Sequence, residues 1–351
     1  MNKEFWEGKK VFLTGHTGFK GGWLEQILTK FGARVTGYSK DEGYSYGIHS
    51  VCGMKDKIEN CILGDIRDRQ KLTESINLSQ PDIVIHFAAQ ALVSEGYLDP
   101  YETWTTNMSG TLNLMDAISS CASVKYVAIA TTDKTYRNKE WVWPYRESDE
   151  LGGNCPYSSS KACTEFLIRS YSESIFKDRI KLVSIRAGNV IGGADWSENR
   201  LIPDTFRSIS KKQQLEIRSP NSTRPWQHVL DVLDGYLKGV EHIAKDDSNR
   251  YNVFNIGPLD SNVSVGDVID MFSLYVKGLD WYTKENRGFV ETSTLALDPA
   301  SAIKQLKWKQ RLSIGESVRQ TSEWYNCWLY SKENLEKVTN RQINEYYGGA
   351  S

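Results

Sequence analysis

Val11-Phe12-Leu13-Thr14-Gly15-His16-Thr17-Gly18-Phe19-Lys20-Gly21 runs from an apolar strand through three evenly spaced glycines into a helix. That order decides the fold. Glycines allow a tight turn and close backbone approach, and the N-terminus of the following helix favours a pyrophosphate. The spacing is G-x-x-G-x-x-G instead of G-x-G-x-x-G, and a plain structural turn is the alternative for the glycines alone. The strand–turn–helix context favours a dinucleotide cradle. Trp23, Leu24, Ile27, Leu28 and Phe31 then recur at helical spacing, and Gly32 ends that helix before a second strand, Arg34-Val35-Thr36-Gly37-Tyr38. Apolar runs at 60–63, 83–87, 126–130 and 181–185 alternate with helical stretches at 69–76, 102–119 and 158–175. The alternation predicts an α/β protein with a Rossmann-type, doubly wound parallel sheet and right-handed crossovers.

Beyond about residue 188 the texture changes, with loops rich in Gly, Asn, Asp and Pro at 188–204, 218–226 and 257–263. The expected organisation is an NAD(P)-binding Rossmann domain over 1–187 with a segment returning near 226–256. A smaller, interleaved C-terminal substrate domain is expected over 188–225 and 257–335, and a polar tail over 336–351. The 351 residues are long enough to bury such a core. Lys plus Arg (43) nearly balance Asp plus Glu (44), so there is no long-range pull towards nucleic acid or anionic membrane. No apolar leader or long apolar run is present, so neither a signal peptide nor a membrane span is expected. The six cysteines, at 52, 61, 121, 155, 163 and 327, form no C-x-x-C pair, and the five histidines do not cluster beside them in sequence. Free thiols, no metal site and a cytoplasmic location are therefore expected.

Two further sets of residues suggest chemistry. After strands, Asp65 in Gly64-Asp65-Ile66 suits an adenine amino group, and the small Ala88 and Ala89 let backbone approach a cofactor ribose. Cofactor contacts are expected from Gly15, Thr17, Gly18, Phe19, Gly21, Asp65, Ile66, Ala88 and Ala89, and from Tyr157 and Lys161. Tyr38-Ser39-Lys40-Asp41 puts no acid directly where a 2′-hydroxyl partner belongs, so this segment does not decide between NAD and NADP; NAD is expected, with NADP left open. Tyr157 and Lys161, four residues apart, share one face of a helix. An ammonium beside a phenol, with the nicotinamide's charge, is expected to lower the phenol's pKa so that it can take a hydroxyl proton. An ordinary amphipathic helix is the alternative, but Thr132, at the end of the preceding strand, stands where it can bond a sugar hydroxyl.

The set Gly15–Gly21, Thr132, Tyr157 and Lys161 resembles the extended short-chain dehydrogenase/reductases. Within them the chain is most similar to the CDP-glucose 4,6-dehydratases. The resemblance is carried by the glycine-rich turn, by Thr132-Asp133-Lys134 and by Glu140-Trp141-Val142-Trp143. It continues through Arg186-Ala187-Gly188-Asn189-Val190-Ile191-Gly192-Gly193 and Arg224-Pro225-Trp226-Gln227-His228-Val229, so that nearly the whole chain is covered. The resemblance implies a nucleotide-sugar dehydratase: oxidation at C4, loss of water across C5–C6 and reduction at C6. Tyr157 and Lys161 would serve oxidation, Asp133 would be the acid towards the C6 oxygen, and Lys134 the base towards C5. A solvated lysine or a charge partner of Asp133 is the alternative for Lys134. Asn189, Arg200 and Arg224, with Arg186, are candidates for the substrate diphosphate. His228 reads as structural and Asp298 is unassigned. The chain departs from the family pattern at Ser94, Gly96 and Cys155, where an arginine, a serine and an aspartate are usual. A homodimer through helices near 102–119 and 158–175 is also implied. An epimerase or reductase on the same scaffold, and a non-catalytic nucleotide-binding regulator, are the rival readings.

Overall fold

A computed structural model of the chain describes residues 2–246, 248–259, 263–283 and 294–348. Residues 260–262 of the expected loop at 257–263, and the last three of the expected tail, lie outside them. The centre is a parallel sheet of seven strands: β1 (Lys10–Thr14), β2 (Arg34–Ser39), β3 (Asn60–Leu63), β4 (Ile83–His86), β5 (Tyr126–Ala130), β6 (Lys181–Ala187) and β10 (Tyr251–Ile256). Their order is β10-β6-β5-β4-β1-β2-β3. The chain reverses its winding direction between β1 and β4, and a crevice at the carboxyl ends of strands is where such sheets bind ligands.

Alternation along β1 divides the core. Val11 and Leu13 pack on one face with Trp23, Leu24, Ile27 and Leu28 of the Phe19–Lys30 helix, all fully buried or nearly so. Phe12 points to the opposite face, into a cluster with Tyr38, Leu114, Ile118 and Leu182. Side chains of this size each contribute about 1.5–3 kcal/mol when removed from water. The glycine-rich turn is therefore mounted on a strand fixed from both sides.

Four short strands, β7 (Asn189–Ile191), β8 (Leu215–Ile217), β9 (Trp226–His228) and β11 (Trp281–Thr283), pair as β7 with β9 and β8 with β11. They and the Leu201–Lys211 and Val265–Ser273 helices stand beyond the carboxyl ends of the main strands, while the Val229–Lys245 helix leads back to β10.

The structure departs from the sequence reading in three places. The expected helices near 102–119 and 158–175 each contain a π turn, at Thr105–Ser109 and Tyr171–Phe176. In the first, the wide turn directs Asn107 inward, where its amide bonds Gln90 and Ser160. The segment expected to be a polar tail forms a helix, Leu335–Tyr347. It buries Leu335, Thr339, Gln342, Ile343 and Tyr346 at helical spacing, and Tyr346 donates to Asp231 at 2.7 Å. Two of those five, Thr339 and Gln342, are polar, which hid the pattern. Finally, the six cysteines are free, but His16 and His49 do come together with Cys61 in space. Residues far apart in sequence meet because β3 returns beside β2, which the glycine-rich turn abuts.

Candidate active site

Gly15 has φ +73°, and a Cβ there would stand 2.7 Å from the Ala88 backbone nitrogen. One on Gly21 would stand 2.0 Å from the Gly15 carbonyl oxygen. Both positions require glycine for the turn to close. Gly18 caps the Phe19–Lys30 helix without a side-chain acceptor, which leaves first-turn N–H groups for a ligand's oxygens. This cradle fits a dinucleotide pyrophosphate. Thr17 supports it indirectly: its hydroxyl donates to the Asp41 carbonyl at the end of β2. Ala88 donates its N–H to Thr14 and so draws the β4 loop against the turn.

Asp65 does stand at the carboxyl end of β3, but its carboxylate is held by Arg67 through the backbone N–H at 2.9 Å and the guanidinium at 2.6 Å. That pairing keeps its pKa below the usual aspartate value. Ile66 follows it. Its side chain is buried in the core against Gly110.

Thr132, Asp133, Lys134, Tyr157 and Lys161 line a single cavity of about 710 Å³, together with Phe19, Ala89, Asn189, Arg200 and Arg224. The volume is in the range of small-molecule sites. The residues meet because β5 ends at Ala130, directly beside the first turns of the Pro156–Ser170 helix. Asp133 is 1% exposed; Oδ1 accepts from the Thr132 hydroxyl at 2.8 Å, and Oδ2 has no partner among the described residues. With both oxygens so placed, Lys134 is not the charge partner of Asp133. Lys134 is half-buried in the same wall.

Burial pushes the Tyr157 phenol up to about 12, against a hydrogen bond from Thr132 and the charge of Arg200. Lys161 donates to the Ala130 carbonyl at 3.1 Å. Burial, followed by repulsion from Lys20, pushes its ammonium down to about 7, with Glu165 opposing.

The arginines divide. Arg200 pairs with Asp195 at 3.2 Å and remains partly exposed at the mouth. Arg224 is buried and donates to the Thr223 carbonyl. Arg186 is engaged elsewhere: it is 3% exposed, makes a bidentate pair with Glu165 and donates to the Tyr136 hydroxyl. It is a structural arginine, which removes it from the substrate candidates. His228 caps the Val229–Lys245 helix by accepting from Leu230 N–H, in keeping with a structural role. At the three departures from the family pattern, Ser94 lines the cavity, and a Cβ on Gly96 would stand 3.2 Å from the Tyr157 backbone nitrogen. Cys155 is the N-cap of the Pro156–Ser170 helix, accepting from Ser158 N–H through sulfur.

Lys20 escaped the sequence reading. It lines the cavity, and burial pushes its ammonium down to about 8, with Arg200 also lowering it and Asp195 and Asp133 opposing. The signal was a lone cation in an otherwise small and apolar turn.

A Rossmann domain with this turn, and a Tyr-x-x-x-Lys pair beside a Ser/Thr strand end, define an extended short-chain dehydrogenase/reductase. Residues 12–321 match the GDP-mannose 4,6 dehydratase family model, and the chain belongs to that family. It is 40% identical to the CDP-glucose 4,6-dehydratase of Salmonella typhimurium over 99% of this chain and 98% of that protein. Identity to the UDP-glucose 4-epimerase of Lactobacillus helveticus is 27%, over 90% of this chain and 97% of that one. Among solved structures, the UDP-glucose 4-epimerase of Stenotrophomonas maltophila with bound NAD superposes with a TM-score of 0.80. The identity is 20%, covering 91% of this chain and 98% of the other. The Brucella ovis epimerase in complex with NAD gives 0.77 at 22% identity, covering 90% and 97%. Among the described residues, no helix is long and apolar enough to cross a membrane.

Proposed function

We propose that this enzyme converts CDP-glucose to the 4-keto-6-deoxy sugar nucleotide, with NAD as its dinucleotide. The observation that carries the reading is the convergence of Thr132, Asp133, Lys134, Tyr157 and Lys161 on one cavity, with Arg200 and Arg224 on the same lining. The cradle of Gly15, Gly18 and Gly21 would hold the pyrophosphate, and the dinucleotide supplies a reversible hydride acceptor. Thr132 and Tyr157 hold the C4 hydroxyl, and Tyr157 takes its proton as hydride leaves C4. Lys161, one helical turn along, steadies the phenolate by charge. The resulting ketone acidifies C5–H. Lys134 takes that proton while Asp133, buried and with Oδ2 unpartnered, protonates the departing C6 hydroxyl as water. Hydride then returns to C6 and a proton to C5, so no reducing equivalent is lost. Asn189, Arg200 and Arg224 bind the diphosphate.

Asp133 favours this over an epimerase, which needs no acid at C6. Exposed Tyr101, Trp104, Leu112 and Phe166 on the two helices flanking the site support a homodimer. The six free thiols support a reducing, cytoplasmic setting. The test is CDP-glucose deuterated at C4, with NAD+ and NADP+ supplied separately. Deuterium found at C6 of the product supports the cycle; its loss to solvent overturns it.

A further inference from the structure

Outside the cleft, metal-ligating side chains gather beneath the glycine-rich turn. His16 Nε2 lies 3.2 Å from Cys61 Sγ, and the His16 and His49 rings meet nearly perpendicular with centroids 5.0 Å apart. One nitrogen of each ring and the Cys61 sulfur all lie within 4.8 Å of one another. None of the three lines the catalytic cavity.

The surroundings are those of a built site. His49 Nδ1 is bonded to Glu25 Oε1 at 2.6 Å, and His16 Nδ1 to Ser39 Oγ at 2.8 Å. A carboxylate or hydroxyl on Nδ1 fixes each ring and leaves Nε2 as the donor nitrogen, the arrangement that orients histidine ligands in metal sites. Glu25 is fully buried, and its Oε2 has no partner among the described residues. Strand β2 is left bare to admit the ring: a Cβ on Gly37 would stand 2.3 Å from His16 Cδ2. Tetrahedral bonds of about 2.0–2.1 Å to nitrogen and about 2.3 Å to sulfur put ligand atoms roughly 3.4–3.6 Å apart. The His16–Cys61 separation of 3.2 Å is already close to that, and the others, within 4.8 Å, reach it by closing at most about 1.4 Å.

We propose that His16, His49 and Cys61 bind one borderline-soft divalent cation of the Zn2+ kind, with the fourth position taken by water. Two imidazoles and one thiolate suit such a cation and not Mg2+ or Ca2+, which take oxygen ligands. Binding replaces the Cys61 thiol proton, which leaves to solvent, and no redox change is involved. Half-buried Cys61 provides the approach for metal and water. Occupancy ties β3 and the Ile48–Val51 helix to the turn that carries Gly15 and Gly18. The site is independent of the dehydratase reading.

The experiment uses the full chain after chelator treatment, titrated with Co2+. One equivalent producing thiolate charge-transfer absorption and tetrahedral visible bands, displaced by Zn2+, is the expected result. Cys61→Ser abolishes the charge-transfer band, Glu25→Gln weakens Zn2+ binding about ten- to a hundredfold, and Cys327→Ser changes neither. A charge-transfer band that persists in folded Cys61→Ser, or no tetrahedral spectrum at all, overturns the proposal. A second measurement needs no variant: alkylation of the wild-type protein, mapped by peptide mass spectrometry. Zn2+ is expected to protect Cys61; equal modification with and without it contradicts the site.

Discussion

Replacing Glu165 by glutamine is expected to cost a large part of the protein's stability, because this carboxylate holds five donors in a dry interior. Arg186 Nε and Nη2 reach Oε1 and Oε2, each at 2.9 Å. Thr131 and Ser184 donate to Oε1 at 2.6 and 2.8 Å, and Tyr251 donates to Oε2 at 2.8 Å. An amide of the same shape keeps one acceptor and turns an N–H2 towards donors, while Arg186 keeps its charge without a counter-charge. Removing one partner of a buried pair costs about 3–5 kcal/mol. That is a fifth or more of the roughly 5–15 kcal/mol that holds a typical domain folded. The assay is urea unfolding at pH 7, followed by tryptophan fluorescence and circular dichroism. Changing both residues to leucine is expected to cost less than the sum of the single changes, as each leaves the other's polar group stranded. A loss below about 1 kcal/mol for Glu165→Gln would refute the reasoning. So would an Arg186→Lys enzyme of normal stability whose KM for the sugar nucleotide rises, since Arg186 would then be touching substrate.

Three other expectations rest on separate parts of the structure. Tyr157→Phe is expected to lower kcat by about 10²–10⁴ while leaving dinucleotide binding and the melting temperature close to wild type, measured by product formation and thermal melts. Gly21→Ala puts a Cβ 2.0 Å from the Gly15 carbonyl oxygen, so dinucleotide affinity by calorimetry should collapse along with stability. The ammoniums of Lys161 and Lys20 are depressed by burial to about 7 and about 8. Between those values and the ordinary lysine value the unfolded chain binds more protons, so stability is expected to rise with pH across roughly pH 7–10. One such group contributes at most about 1.4 kcal/mol per pH unit, and Lys161→Met should flatten the slope in urea titrations.

The Rossmann half was legible because its signals are local. The apolar run at Val11–Leu13, the turn at Gly15–Gly21 and the period-3.6 face at Trp23–Leu28 each act within a few residues. Tyr157 and Lys161 were legible for the same reason, being one helical turn apart. What escaped depended on distance. Arg186 reads like a phosphate ligand until Glu165, twenty-one positions earlier, is brought against it across β6. His16, His49 and Cys61 form no pattern in sequence, since three separate elements carry them. The Leu335–Tyr347 helix was hidden by Thr339 and Gln342, which are polar yet buried by bonding to other core residues: Thr339 accepts from Trp324 and Gln342 donates to the Gln320 carbonyl. The rise in Tyr157's pKa comes from burial in the packed cleft, which its helix alone does not show.

The measurement that bears most directly on the function is a mass-spectrometric product assay on CDP-glucose, with GDP-, UDP- and dTDP-linked hexoses alongside and NAD+ supplied. Loss of one water from CDP-glucose alone, abolished in Asp133→Asn, is the expected result. A folded, NAD+-binding protein that dehydrates none of these nucleotides would contradict the assignment and direct attention to Ser94 in the cavity wall and to Gly96 against Tyr157.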